Sequence, residues 1–524
     1  MMLPSFIRRR LTRLVLSRFV VPRDAIRFGL RRHPNGLALV TPEARLTYRA
    51  LADRVARTVG VLQGLGLQKG GRIDVVVGDG VDQVVLRLAA MEMGVVQGAL
   101  PPWAQESQVE ALFSVGLPDL LVLASDLAPR LREALEALPL DADRKLRMGS
   151  GWEALLARTT PAKSFAPLHA GDGAALGFTS GTTGEPKAII TLQGALMASL
   201  SLTAFNVRVS VMGHETIMPA MPLTGAGAGV LLPSVVTGAT LVLPRAHDAA
   251  TLCQTMRDEV VTRLFVTPSQ LIDLLDEPSF TRESLPTLRN VIYGTAPMPV
   301  PKLEEALGRF GPIFQQGYGM AEVLPPVSLL QVEHHNVNGA IASREVLRSQ
   351  GWVVPGVRVR IVDDSDRDVA PGTVGQVLVQ SPTLFAGYWR RDGVDRSVFH
   401  QGFLRTGDFG WLSADGKLTV LDRGVDVAVR QGQRVFPRLI EEAAHDVDGV
   451  KEACLVQLAA ESPLVLFVSP RRGYELSGSA IAAHLAAVLP AEQRPDAVKV
   501  VPGIPRSRLE KINRKLVRES LLST

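Results

Sequence analysis

The sequence predicts an α/β fold, with a large N-terminal domain of layered α/β subdomains and a β-rich subdomain, followed by a small α+β C-terminal domain. Three observations carry this prediction. Short apolar runs alternate with helical patterns early in the chain. Patterns of close-set strands and turns follow residue 355. After residue 424, apolar runs typical of strands and an Ala-rich helical pattern indicate a separate small unit. Alternating strands and helices are typical of layered α/β domains.

The predicted elements follow one another along the chain. The run IDVVV at 73–77 predicts a strand, the segment 81–94 a helix, and LLVLA at 120–124 a second strand. After PGVRVRIVDD at 355–364, the segments VGQVLVQSP and KLTVLDR predict antiparallel strands. Near the C-terminus, KEACLVQL and PLVLFVSP precede an Ala-rich helix near 479–489, as in a small α+β unit.

Size and composition narrow the class of protein. A chain of 524 residues is long for one core, because single cores stop growing near ~250–300 residues. Its 46% hydrophobic and 21% charged residues are typical of a soluble globular protein, and a net charge of +5 is too balanced to indicate nucleic-acid binding. Two distant cysteines, Cys253 and Cys454, exclude a disulfide framework and a cysteine-rich zinc site, so we predict a cytoplasmic protein.

Two segments resemble membrane elements. Residues 216–244 carry no charge, but four prolines and several glycines would break a spanning helix, so we predict a buried loop, helix and strand. The N-terminal arm has six arginines before its first acid, Asp24. Its apolar residues could form one face of a basic helix that contacts a membrane surface, or the arm could be solvated.

The stretch FTSGTTGEPKAI at 178–189 has the chemistry of a phosphate-binding loop. Gly181 and Gly184 allow the backbone to come close to a ligand, and the Ser and Thr hydroxyls with Lys187 offer hydrogen-bond donors and one positive charge. It is not a Walker loop, because Lys187 follows Pro186 and precedes Ala188. A flexible turn between two apolar segments is the alternative.

Five further stretches follow this loop in order: YGTAP (293–297), QQGYGMAE (315–322), RTGDFG (405–410), LDRGVD (421–426) and IPRSRLEKINR (504–514). Each by itself is an ambiguous turn. Together with TSGTTGEPK they resemble the adenylate-forming superfamily, which includes acyl-CoA synthetases, nonribosomal-peptide adenylation domains and beetle luciferases. The resemblance runs from LTYRALA at residue 46 to the C-terminus.

The resemblance implies a binding site for ATP. Tyr318 would stack on adenine, and Gly294, Thr295 and Ala296 would line the base. The residues that would hold the triphosphate belong to the loop at 179–187: Thr179, Ser180, Gly181, Thr182, Thr183, Gly184 and Lys187.

The remaining assignments concern metal, ribose and catalysis. By resemblance, Glu322 would hold Mg²⁺, a hard cation that prefers oxygen ligands. Asp408 would bind both ribose hydroxyls, Arg423 would support the ribose and phosphate side, and Lys511 would stabilise charge during adenylation. Structural roles are the alternatives: Tyr318 could fill a core edge, Asp408 could cap a turn, and Lys511 could lie on a solvated basic face.

Several positions depart from the superfamily pattern and put reaction rate and hinge behaviour in question. Ala321 replaces the Thr before the metal-binding Glu, which removes a hydroxyl worth ~1 kcal/mol. Glu510 replaces the common Gly before Lys511. The other departures are Ala188, Gln193, Pro222 and, at the hinge, Val425.

The resemblance predicts an ATP-dependent carboxylic-acid ligase. It implies a basic arm and lead-in at 1–45, an adenylation domain at 46–422, and a small mobile domain at 423–524 that rotates between two half-reactions. The acid would form an acyl-adenylate with release of pyrophosphate, and the thiol of CoA would then accept the acyl group. An acyl carrier protein as acceptor, and a non-catalytic acyl- or nucleotide-binding protein, are the alternatives.

Small residues at 224–229 (TGAGAG) suggest a roomy acid pocket, because relatives form the pocket wall after the preceding Pro-Leu turn. Residues 216–244 contain no Asp to pair with an ammonium group, which argues against amino acids. We therefore expect a medium- to long-chain fatty acid or another bulky apolar acid. Alternatively, the glycines, Gly227 among them, reflect close helix packing.

Overall fold

A computed structural model describes residues 15–114, 116–162, 165–178, 188–206, 215–389, 398–507 and 510–522. The chain divides into two compact units. Unit 1 contains Met1–Arg245, Gly319–Pro326 and Ser381–His400; unit 2 contains Ala246–Tyr318, Val327–Gln380 and Gln401–Thr524. The predicted phosphate loop at 179–187 and the first fourteen residues of the arm lie outside the described residues, so the predictions on them stay predictions.

Up to Arg245, helices alternate with strands as the apolar pattern predicts. The helices are Pro22–Arg32, Tyr48–Gly64, Val81–Met93, Glu106–Ser114, Pro129–Glu136, Ser150–Arg158, Gln193–Asn206 and Leu231–Thr237. The strands are β1 (Leu37–Val40), β2 (Arg45–Thr47), β3 (Arg72–Val76), β4 (Val96–Leu100), β5 (Leu120–Leu123), β6 (Lys145–Arg147), β7 (Gly173–Phe178), β8 (Ala188–Leu192), β9 (Thr216–Pro219) and β10 (Thr240–Val242).

Two strand systems organise unit 1. One is a six-stranded sheet in the order β6-β5-β3-β4-β7-β8, parallel except for the antiparallel pair β7 and β8. In the other, β9, β10 and β1 are parallel and β2 is antiparallel to β1. The predicted strands at 73–77 and 120–124 and the predicted helix at 81–94 are confirmed, because β3 and β5 are buried along their length and Gly94 ends the helix in a left-handed conformation.

The uncharged segment 216–244 forms β9, a short 3₁₀ helix at Ala226–Val230, the helix Leu231–Thr237 and β10. The predicted helix and strand are confirmed, whereas β9 lies where a loop was predicted. Charged side chains from elsewhere hold its central turn: Asp79 accepts a hydrogen bond from the Leu223 amide at 3.0 Å, and Arg87 donates to the Leu223 carbonyl at 3.2 Å. Across the described residues, no helix combines the length and apolar character needed to cross a membrane.

Gly227 is small because of backbone packing. A Cβ atom at this position would lie 2.3 Å from the carbonyl oxygen of Met221 and 2.7 Å from that of Pro222. Both distances are shorter than any van der Waals contact, so Gly227 packs rather than faces an acid. A Cβ atom at Gly229 would meet nothing within 4 Å, so a larger side chain fits at this position.

Beyond Arg245, helices again follow strands. The helices are Ala249–Asp258, Pro268–Asp276, Val300–Phe310, Arg344–Arg348, Pro437–Ala444, Gly478–Val488 and Arg514–Leu522. The strands are β11 (Arg263–Val266), β12 (Asn290–Gly294), β13 (Phe314–Met320), β14 (Val323–Leu330), β15 (Asn336–Val337), β16 (Ala340–Ile341), β17 (Trp352–Val353), β18 (Arg358–Val362), β19 (Gly375–Gln380), β20 (Phe399–His400), β21 (Phe403–Leu412), β22 (Leu418–Arg423), β23 (Ala428–Arg430), β24 (Gln433–Val435), β25 (Val450–Val456), β26 (Val465–Pro470) and β27 (Ala497–Val500).

Unit 2 combines parallel and antiparallel strands. β11, β12 and β13 are parallel neighbours, whereas β18, β19, β21 and β22 form the antiparallel region predicted after residue 355. β25 pairs antiparallel with β26, and β26 pairs parallel with β27. Two helices, Pro437–Ala444 and Gly478–Val488, share a buried core with this last sheet, as expected for an α+β C-terminal region. The boundary at residue 423 remains a prediction.

Candidate functional site

Two parallel strands of unit 2 bring the predicted adenine-binding residues together. β12 pairs with β13 so that Gly294 lies opposite Gly317. A Cβ atom at Gly294 would lie 2.8 Å from the Gly317 carbonyl oxygen, so only glycine fits there. Thr295 and Ala296 therefore follow the carboxyl end of β12 close to Tyr318 on β13. Ligands in open α/β sheets bind at this end of the strands.

Thr295 has the geometry of a ligand-binding residue. Its φ angle of 74° lies in the left-handed region, which β-branched residues rarely adopt and which costs about 1–3 kcal/mol. Its Oγ1 atom is buried and has no hydrogen-bond partner within the described part of the chain. A strained residue with an unsatisfied hydroxyl fits a loop that donates to, or accepts from, a bound nucleotide.

Asp408 is held by two of the other predicted residues. It lies opposite Arg423 in the antiparallel pair β21 and β22, and its Oδ1 atom lies 3.5 Å from Arg423 Nε. Its Oδ2 atom accepts a hydrogen bond from the Tyr318 hydroxyl at 2.6 Å. Since an ionised carboxylate accepts about four hydrogen bonds, capacity for ribose hydroxyls remains.

Thr406 supports this arrangement and was not predicted. Its hydroxyl donates to the Val377 carbonyl at 2.8 Å and accepts from the Asp408 amide at 3.1 Å, which fixes the turn before Asp408. A Ser or Thr hydroxyl can accept from the amide two residues further on whatever residue stands there, so the sequence carries only a weak signal for this bond.

Burial controls protonation in this group. Burial raises the pKa of Asp408, and the nearby Arg423 charge and the Tyr318 hydroxyl only partly offset this effect. Burial and the adjacent Asp408 raise the pKa of Tyr318 well above its ordinary value, so the phenol stays protonated and donates to Asp408. The Asp408 carboxylate is thus oriented by a neutral donor and a cation.

Lys511 completes the group in unit 2. Burial, reinforced by the positive charge of Arg423, lowers the pKa of Lys511 to about 8. Arg423, which contacts Asp408, is thus close enough to Lys511 to act on its charge. A site with more positive than negative charge suits a polyanionic ligand such as a nucleoside triphosphate. The site residues that the structure brings together are Gly294, Thr295, Ala296, Tyr318, Asp408, Arg423 and Lys511.

Glu322, the predicted magnesium ligand, belongs to unit 1. It lies in the two-residue connection between β13 and β14, is 8% exposed, and accepts a hydrogen bond from the Phe385 amide at its backbone carbonyl. Within the described residues, no group of three or more His, Cys, Asp or Glu side chains is arranged so that it could hold a metal ion. A single carboxylate is sufficient for the kind of Mg²⁺ site in which substrate phosphates and water supply most of the ligands.

The predicted phosphate loop from Thr179 to Lys187 lies outside the described residues, but its two flanking strands are described. Phe178 and Ala188 pair across β7 and β8, which closes the base of the loop. Ala188 is buried against Leu176 and Val96, so the methyl group at this departure from the superfamily pattern is packed.

Comparison with known proteins identifies related sequences and folds. The family model described as AMP-binding enzyme matches residues 27–389. The chain is 28% identical to a medium/long-chain-fatty-acid–CoA ligase, FadD8, of Mycobacterium tuberculosis, over 94% of this chain and 88% of that protein. It is 28% identical to a feruloyl-CoA synthase of an Amycolatopsis species, over 93% of this chain and 96% of that protein.

Solved structures show the same fold. ATP-bound MatB from Rhodopseudomonas palustris superposes with a TM-score of 0.84 at 23% identity, over 95% of this chain and 99% of that chain. At this identity the similarity establishes fold rather than substrate. It agrees with the predicted α/β architecture with a smaller C-terminal domain.

The lowered pKa of Lys511 predicts a pH-dependent stability difference. Between about pH 8 and the ordinary lysine value of 10.5, the unfolded chain binds the proton that the folded chain has released, so folding stability rises with pH. Below pH 8 the buried charge opposes folding. Lys511→Met should therefore be more stable than the original protein at pH 7, and this advantage should shrink above pH 8. Urea unfolding of both proteins at pH 7, 8.5 and 10 measures it, and a constant difference would contradict the assigned pKa.

Proposed function

Because the chain belongs to the AMP-binding enzyme family of the adenylate-forming superfamily, we propose that it activates a carboxylic acid with ATP and transfers the acyl group to CoA. In the first half-reaction a carboxylate oxygen attacks the α-phosphorus of ATP, and the bond to pyrophosphate breaks. In the second, a thiol sulfur attacks the acyl carbonyl, AMP leaves, and the thiol proton is released. This reaction joins acid and thiol at the expense of one phosphoanhydride bond.

The observation that carries the proposal is the group formed by Tyr318, Asp408, Arg423 and Lys511. Tyr318 and Arg423 orient the Asp408 carboxylate, which is then prepared to accept hydrogen bonds from the two ribose hydroxyls. Lys511, a partly buried cation, supplies charge where negative charge develops on the carboxylate and α-phosphate. Thr295, with its strained backbone and buried hydroxyl, contributes on the base side.

The remaining nucleotide assignments rest on sequence. The loop residues Thr179 to Lys187 would bind the triphosphate through hydroxyls, backbone amides and one Lys. Glu322 would hold Mg²⁺, which neutralises phosphate charge when bound. Ala321 lies beside it and brings no hydroxyl, so this chain lacks one hydrogen bond that the superfamily pattern would supply.

The acid is proposed to be a fatty acid or another bulky apolar acid. The two relatives named above act, by their names, on fatty acid and on ferulate, which are both apolar over most of their length. In this chain, Ala226 and Gly229 are exposed on the uncharged segment, whereas Gly227 is packed. Because neither Ala226 nor Gly229 has a large side chain, they leave room for an apolar acyl group. Each methylene of the acid that is buried should add about 0.8 kcal/mol to its binding free energy.

The test of function is carboxylate-dependent release of pyrophosphate from ATP, followed by addition of CoA or of a phosphopantetheinylated carrier protein. We expect release with apolar acids, discharge by CoA, and loss of release in Lys511→Ala with retained discharge of a supplied acyl-adenylate. Discharge by the carrier alone would favour the carrier-loading alternative. Absence of pyrophosphate release with every acid, in protein that binds ATP, would favour the non-catalytic alternative.

Chain-length preference tests the acid class. Because Gly229 faces open space, Gly229→Leu should fill part of the pocket and lower kcat/KM for palmitate relative to hexanoate by about tenfold or more. Gly227→Ala is the matched control: it should destabilise the fold by about 1–3 kcal/mol and leave this ratio unchanged. A flat series from acetate to palmitate, or a preference for acetate, would refute the wide pocket.

A further inference from the structure

The backbone around Lys511 is fastened to one helix of unit 2, and we propose that Thr267 and Arg506 are positioning residues that hold Lys511 in place for adenylation. This inference rests on the proposed function of Lys511. The helix is Pro268–Asp276, called the docking helix below. Its N-cap residue, Thr267, contacts the residue before Lys511, and one of its carboxylates contacts Arg506.

Thr267 carries out two tasks with one hydroxyl. As N-cap it accepts a hydrogen bond from the Gln270 amide at 3.1 Å, and the Gln270 side chain accepts from the Thr267 amide in return. The hydroxyl proton has two acceptors within reach, the carbonyl oxygen of Glu510 at 3.2 Å and Gln270 Oε1 at 3.3 Å. Thr267 is 1% exposed, so loss of its hydroxyl would leave the buried Gln270 amide without its partner and remove the bond to Glu510.

Arg506 supplies the second attachment. Its guanidinium contacts both carboxylate oxygens of Asp273 on the docking helix and lies 2.9 Å from a Glu452 oxygen on β25. Bidentate arginine–carboxylate pairs fix geometry as well as charge. The guanidinium is therefore clamped between the docking helix and the C-terminal sheet.

Fixing Arg506 also fixes Lys511, because the two backbones are joined directly. Arg506 and Ile512 form a β-bridge, and the Ser507 amide donates to the Lys511 carbonyl at 2.7 Å. The Asn513 amide donates to the Pro505 carbonyl at 2.8 Å. Residues 505–507 and 510–513, called the Lys511 segment below, are therefore held together by backbone hydrogen bonds.

Glu510 explains why fastening is needed. Its φ angle is 57°, a left-handed conformation that costs a non-glycine residue about 1–2 kcal/mol. Such strain persists only where surrounding contacts enforce it. Here they are the Thr267 bond to the Glu510 carbonyl and a contact of 3.5 Å between the Glu510 carboxylate and Arg506. The superfamily pattern has Gly at this position, and Gly adopts this conformation without strain. In this chain the backbone at Glu510 therefore depends more on its contacts with Thr267 and Arg506.

Positioning of this kind affects one half-reaction. A displacement near 1 Å of a catalytic group can cost about a hundredfold in rate. Lys511 acts on the carboxylate and α-phosphate of the first half-reaction, so a loosened Lys511 should slow adenylate formation and spare thiol transfer.

The decisive experiment compares Thr267→Val, which keeps the shape and removes the hydroxyl, with Thr267→Ser, which keeps the hydroxyl. Adenylation is followed by pyrophosphate release, and transfer by discharge of a supplied acyl-adenylate. We expect Thr267→Val to lower kcat of adenylation about tenfold or more, with KM for ATP and the discharge rate within about twofold of the original protein. Thr267→Ser should restore adenylation.

Loss of a helix cap is controlled by Asp248→Ala. Asp248 caps the preceding helix, Ala249–Asp258, by accepting from the Thr251 amide at 2.9 Å. Asp248→Ala should lose about 1 kcal/mol of stability, as expected for the loss of an N-cap side chain. The rates of both half-reactions should stay within about twofold of those of the original protein. Arg506→Gln should reproduce the selective loss seen in Thr267→Val.

Hydrogen exchange separates this inference from the proposed function, since it needs no turnover. In the ATP-free protein, amides of Ser507, Glu510 and Asn513 are hydrogen-bonded within the Lys511 segment. Their exchange should accelerate several-fold in Thr267→Val and Arg506→Gln, but not in Thr267→Ser or Asp248→Ala. Unchanged exchange, equal loss in both half-reactions, or failure of Thr267→Ser to restore adenylation would each overturn the positioning role. Accelerated exchange in a protein that releases no pyrophosphate would refute the ligase function instead.

Discussion

The candidate site depends on the interactions of the buried Asp408 carboxylate with Tyr318 and Arg423. Burying a carboxylate is costly, and here the Tyr318 hydroxyl at Oδ2 and the Arg423 guanidinium at Oδ1 offset part of that cost. The pairing of β21 with β22 places Arg423 opposite Asp408, and the parallel strands β12 and β13 deliver Tyr318 and the strained Thr295. These strand pairs in unit 2 therefore position the partners that orient the Asp408 carboxylate.

Three features that oppose folding lie in or beside the candidate site. Thr295 and Glu510 both hold left-handed backbone without being glycine, and Lys511 keeps a cation in a partly buried place. Each of these features opposes folding, and proteins tolerate such features chiefly at functional sites. At Glu510, the contacts with Thr267 and Arg506 explain how the fold retains the strained backbone.

Periodicity predicted the elements correctly where burial is continuous, as in β3, β5 and the helix Val81–Met93, because apolar spacing directly reflects the neighbouring layers. Motif order predicted Tyr318, Asp408, Arg423 and Lys511, which the structure groups together. Sequence could not decide whether Gly227 faced an acid or another backbone, since that depends on a tertiary approach to Met221. The Thr267 contact with Glu510 was equally hidden, because 243 residues separate its partners.

Binding of ATP and of 2′,3′-dideoxy-ATP to the original protein and to Asp408→Ala tests the central claim most directly. The comparison isolates the pairing between ribose hydroxyls and the Asp408 carboxylate. The original protein should bind ATP about tenfold or more tightly than the dideoxy analogue, whereas Asp408→Ala should bind the two nucleotides about equally. An equal preference for ATP in both proteins would show that Asp408 does not bind the ribose, and would contradict the account of the site.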